Sequence, residues 1–177
     1  MKKNLFALVV VAMCVLSGYA QADKPFVSKD GRFSVVPPTG FEELKFSTKA
    51  RHNPYGDVEV NIFMLNLGHA SCSIEYYDFQ DEAYKQHSVD QWVSFMTKVA
   101  QSVPGMTASN LENTTVDGYP GFSIDMSRQD DKDPLYIRTV TVIAKPRVYV
   151  YKFSSSDKAD LNRADVLKFF RTFHIQK

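Results

Sequence analysis

Cys72 and His69 are the one thiol and imidazole that stand close together in the sequence. Such a pair could run nucleophilic catalysis if the thiol were partly exposed in an electropositive setting. Cys72 instead alternates with Ile74 and Tyr76, which predicts an inward, inert thiol. The histidines are His52, His69, His87 and His174, and they form no H-E-x-x-H motif. A metal site would need ligands from separate segments, such as His52, Asp57 and Glu59, to converge. Asp130, Asp131 and Asp133 lack the glycine and terminal glutamate of a calcium loop, so they read as a solvated hairpin tip. Gly121-Phe122-Ser123-Ile124 is a strand and not a nucleophile elbow. The chain has no Gly-rich phosphate loop. Asp81, Glu82 and Asp90 read as charges at a helix start, where they suit the macrodipole. Asn113-Thr114-Thr115 matches a glycosylation sequon and reads as a chance match. These readings predict no catalytic, metal or cofactor residues.

The remaining chemistry is that of binding. Thr48 to Asp57 reads as a long loop with the turn signal Asn53-Pro54-Tyr55-Gly56-Asp57. It carries Lys49, Arg51, His52 and Tyr55. Long loops on rigid sheets often hold contact residues, and Arg and Tyr are favoured anchors. These four are the partner-binding candidates.

The elements that must hold them follow from periodicity. Asp23 to Asp30 reads as a polar lead-in. Arg32 to Val36 is a short strand closed by Pro37-Pro38, which lack the ladder N–H. A second strand is expected over Phe41 to Ser47. Val58, Val60, Ile62 and Met64 alternate with Glu59, Asn61, Phe63 and Leu65, predicting a central strand covered on both faces. Leu67 to Ala70 turns the chain into another strand, Ser71 to Tyr77. The period then becomes helical: Val89, Trp92, Val93, Met96, Val99, Ala100 and Val103 share one stripe. Ser88 and Gln91 fit a capping box, and Pro104-Gly105 stops the helix. Strands return over Asn110–Val116, Tyr119–Ser127, Leu135–Ala144 and Val148–Ser154, with a tight turn at Asp117-Gly118. A closing helix is expected from Ala159 to Thr172, with Val166, Phe169, Phe170 and Phe173 inward. Short connections favour an antiparallel meander packed with two main helices, an α+β fold.

The chain has 177 residues, 44% hydrophobic and 23% charged, with a formal net charge of +1. That composition is globular, and the balanced charge offers no footprint for nucleic acid. Met1 to Ala22 reads as a secretory signal peptide: Lys2 and Lys3, an apolar run from Leu5 to Leu16, and the small-x-small site Ala20-Gln21-Ala22. Cleavage is expected after Ala22, with Ala20 as the alternative, and 23–177 as a single domain. The apolar run is too short to span about 30 Å of hydrocarbon. Removing Lys2, Lys3 and Cys14 leaves 19 basic residues against 20 acidic, and one thiol. A disulfide within the mature chain is therefore excluded. These features predict a periplasmic or secreted protein with no membrane span after cleavage.

Several stretches together resemble the PsbP-like superfamily, which includes PsbP, the Mog proteins and DcrB-type secreted bacterial domains. They are Phe33-Ser34-Val35-Val36-Pro37-Pro38-Thr39-Gly40-Phe41, Val116-Asp117-Gly118-Tyr119-Pro120-Gly121, Val148-Tyr149-Val150-Tyr151-Lys152-Phe153-Ser154 and Phe169-Phe170-Arg171-Thr172-Phe173. In the last, Thr172 stands where the family usually has Ser. The resemblance implies an α/β/α sandwich around an antiparallel sheet. It also implies a binding or accessory role through a protein partner, of inhibitor, immunity or envelope-associated type. The alternatives are a carrier of a small apolar ligand held between sheet and helix, and a hydrolase with an unrecognised site.

Overall fold

The computed structural model describes residues 24–53, 56–79, 88–130 and 132–177. The expected signal peptide, Tyr55, Asp81, Glu82 and His87 lie outside them. The strands are β1 (Phe26–Ser28), β2 (Phe33–Val35), β3 (Lys45–Asn53), β4 (Gly56–Asn66) and β5 (Ala70–Asp78). Helix α1 (Val89–Gln101) follows, then β6 (Thr107–Val116), β7 (Tyr119–Arg128), β8 (Leu135–Ala144) and β9 (Arg147–Ser155). A 3-10 turn (Lys158–Asn162), α2 (Ala164–Arg171) and β10 (His174–Ile175) end the chain. Seven strands form one antiparallel sheet in the order β3-β4-β5-β9-β8-β7-β6, and β1, β2 and β10 form a small second sheet.

The expected meander is present as two, β3–β5 and β6–β9, joined where β5 pairs with β9 from Ala70↔Ser155 to Asp78↔Arg147. Alternation along these strands gives each face its own core. Cys72, Ile74, Tyr76, Tyr149, Tyr151 and Phe153 pack with Phe33 and Val35 of the small sheet and with Val166 and Phe169 of α2. On the opposite face Val58, Val60, Ile62, Tyr77, Ile143 and Val148 pack around Trp92 of α1. The sheet is thus a middle layer between α1 and the small sheet with α2, as the resemblance implied. No helix among the described residues is long and apolar enough to cross a membrane.

The helix start is built as its spacing predicts. Ser88 Oγ accepts from Gln91 N at 3.2 Å and Gln91 Oε1 accepts from Ser88 N at 2.7 Å. Satisfying two orphan donors fixes where α1 begins. Its stripe is covered unevenly, since Trp92 is buried while Val99 and Val103 are 48% and 39% exposed. At Asp117-Gly118 both residues take positive φ, 50° and 85°, which the two-residue hairpin requires.

Four expectations need correction. The lead-in holds a strand, β1, because Phe26 packs its ring 5.0 Å from that of Phe63. β4 is second from the edge and not central. It is covered in part on both faces all the same, with Phe63 and Leu65 toward α2 and Val60 and Ile62 toward α1. The closing helix is split at Arg163, whose ψ of 142° is extended. Leu161 and Val166 are both buried, yet five helical steps would turn them about 140° apart. The break lets both face the sheet. Finally, the long loop is mostly strand: β3 pairs with β4 without interruption from Lys45↔Met64 to Asn53↔Gly56. Its residues show no apolar alternation because β3 is an edge strand exposed on both faces.

Candidate functional site

The register of β3 decides where the predicted contact residues point. Lys49 pairs with Val60 and Arg51 with Val58, both in the core beneath α1, so Lys45, Ser47, Lys49 and Arg51 share the α1 side of the sheet. Phe46, Thr48, Ala50 and His52 take the opposite side. Three of the four sequence candidates therefore sit on one exposed edge strand, but not on one face. Tyr55 falls outside the described residues.

Arg51 is tied into the sheet. Its Nη2 donates to Glu75 Oε2 at 3.1 Å, and Lys152 Nζ donates to Glu75 Oε1 at 2.6 Å. The Glu75 side chain is only 7% exposed, while Arg51 and Lys152 are 52% and 39% exposed. Burial by itself pushes the Glu75 carboxyl up. Lys152 and Arg51 more than reverse this and hold it below its usual range. One carboxylate thus positions two cations across β3, β5 and β9. Neither Glu75 nor Lys152 was singled out from sequence. Glu75 in an alternating run beside inward Ile74 and Tyr76 was the available signal, since a buried acid demands partners. His52 is held differently: its Nδ1 lies 2.7 Å from Asp57 Oδ1 across the hairpin, both side chains well exposed.

Phe46 is 57% exposed, with its ring 5.1 Å from that of Phe63. Phe63 in turn stands 5.8 Å from Phe33, so the aromatic core continues outward to the rim at β3. The edge presents cations on one face and an aromatic ring on the other.

The other end of the sheet carries a groove of about 600 Å³ with a mixed polar and apolar lining from β6, β7, β8, β9 and the end of α2. Part of its polar lining is engaged in holding the fold. Arg138 grips Asp125 through Nε at 2.7 Å and Nη2 at 2.8 Å, and donates through Nη1 to the Leu161 carbonyl at 3.0 Å. Asn110 Nδ2 donates to the same carboxylate at 3.0 Å. At the rim, Asp117 Oδ2 accepts from Ile175 N at 2.7 Å and Oδ1 lies 3.3 Å from His174 Nδ1, which fastens β10 to the β6–β7 hairpin.

The other sequence candidates are dispersed. Cys72 is fully buried, and burial pushes its thiol far up, which removes it as a nucleophile. His69 lies in the exposed β4–β5 turn. No three His, Cys, Asp or Glu side chains among the described residues could together hold a metal. Lys132 N donates to Asp130 Oδ1 at 3.0 Å, and Arg128 pairs with Asp133 in the β7–β8 connection.

The sheets and helices make an α+β fold of three layers. No family model matches the chain, and no curated protein matches it. Solved structures do match. LpqN, involved in cell envelope biogenesis of Mycobacterium tuberculosis, is similar at a TM-score of 0.50 and 12% identity, over 90% of this chain and 88% of that one. A Bacteroides thetaiotaomicron structure is similar at 0.51 and 10% identity, over 89% of this chain, which spans 50% of that one. The solution structure of cyanobacterial PsbP from Synechocystis gives 0.49 and 10% identity, over 89% and 95%. At these identities the likeness is one of fold.

Proposed function

We propose that the protein is an exported, non-enzymatic binding domain that acts through a protein partner and makes contact through the β3 edge. The observation that carries this reading is the exposed edge strand itself. It gathers Lys49, Arg51 and His52 beside a half-exposed Phe46, on a sheet held rigid by cores on both faces. Rigid placement lowers the ordering cost of binding. Export rests on the Met1–Ala22 leader and its Ala20-Gln21-Ala22 site. The periplasm is the compartment it favours, and one buried thiol suits that setting.

The test is chemical cross-linking of the mature protein in envelope extract, read by mass spectrometry. A stoichiometric partner linked through Lys45 or Lys49 is expected. Recovery of the protein only as a free chain would overturn the partner reading. N-terminal sequencing of the exported form should begin at Asp23, and a start at Met1 would overturn export.

A further inference from the structure

The two outer strands of the large sheet differ as edges. β6 is interrupted by a register shift between Ser109 and Glu112, where Asn110 adopts a φ of 49°. A bulge of this kind twists an edge away from any added strand. β3 keeps unbroken register with β4 along its whole length and has no strand on its outer side among the described residues. Its outward N–H and C=O groups therefore form a continuous template.

Charge decides what that template accepts. On the α1 side, β3, β4, β5 and β9 carry Lys45, Lys49, Arg51 and Lys152 against the single carboxylate of Glu75. A two-fold pairing of β3 with a second copy would bring two rows of cations together on one face, which is unfavourable. A strand with acidic residues at alternate positions would meet that row with opposite charge. Its other face would lie beside Phe46.

We infer that β3 is a strand-addition edge for an extended acidic segment of a protein partner. The inference rests on the partner reading above and supplies the chemistry of the partner. Main-chain bonds give the affinity in this mode, and alternate side chains give the selection.

The test uses the full mature chain and a synthetic peptide as long as β3 that alternates Glu with Val. Its counterpart has Lys for Glu. Amide exchange is followed by NMR. The acidic peptide is expected to slow exchange of β3 amides about tenfold, and the basic peptide to leave them unchanged. The double variant Lys45→Glu, Lys49→Glu should weaken the acidic peptide about tenfold while α1 and β9 resonances stay in place. Equal binding of both peptides, or protection confined to other strands, would overturn the inference. So would no binding of the acidic peptide, whether or not phosphatidylglycerol vesicles bind. A partner cross-linked through other residues would sink this inference together with the β3 contact, and leave standing only the reading that the protein acts through a partner.

Discussion

Replacing Glu75 with Gln keeps the shape of the side chain and removes its charge. The carboxylate is almost wholly buried, and it accepts from Lys152 at 2.6 Å and from Arg51 at 3.1 Å. Breaking a fully buried ion pair costs about 3–5 kcal/mol. Here both cations are more than a third exposed, so they rehydrate and solvent screens the loss. The expected cost at neutral pH is about 1–2 kcal/mol, or a melting point lower by roughly 2–8 °C for a domain of this size. The pH dependence separates electrostatics from packing. Because the folded-state pKa is depressed, the stabilisation is complete above the unfolded carboxyl value of about 4.3. It is lost as pH falls from there through the lower folded value. Urea unfolding of both forms between neutral and strongly acid pH should therefore show a gap that is constant down to about pH 5 and then closes. A gap that persists unchanged in acid, or its absence at neutral pH, would refute the reasoning.

Three further outcomes follow from particular contacts. Thr139 is 7% exposed and its Oγ1 has no hydrogen-bond partner among the described residues, so Thr139→Val should be neutral or raise stability by about 1 kcal/mol in urea titration. Gly121 packs against the Thr141 carbonyl across β7 and β8, and a Cβ there would clash with backbone. Gly121→Ala should cost about 2–4 kcal/mol in the same titration, by forcing the two strands apart. Cys72 should resist a thiol reagent under native conditions and react fully in denaturant, measured by absorbance of the released thiolate.

How far the sequence reached depended on whether each element shows its burial in its own residues. α1 was legible because Ser88 and Gln91 cap it locally and Trp92 anchors an apolar stripe. The β7 run is legible because Phe122, Ile124 and Met126 alternate, and the β8 run because it is rich in β-forming residues. The Thr48–Asn53 part of β3 reads as loop because an edge strand exposed on both faces has no pattern to show. β1 was missed for a related reason: its strand state depends on Phe26 meeting Phe63 from β4. The break at Arg163 was hidden because Leu161 and Val166 each look helical, and only the sheet beneath requires both to face it.

For the candidate site the division is the same. Residue types alone determined that the sequence holds no recognisable catalytic motif, that two lysines, an apolar run and a small-x-small site follow one another in Met1–Ala22, and that Lys49, Arg51 and His52 belong to one short segment. Tertiary structure decided that this segment is a strand, that Arg51 and Lys49 face one side and His52 the other, and that Glu75 and Lys152 join Arg51. Spacing in sequence sets which residues share a face. Only the successive pairing of β3 with β4, β4 with β5 and β5 with β9 brings charges so distant along the chain within hydrogen-bond reach.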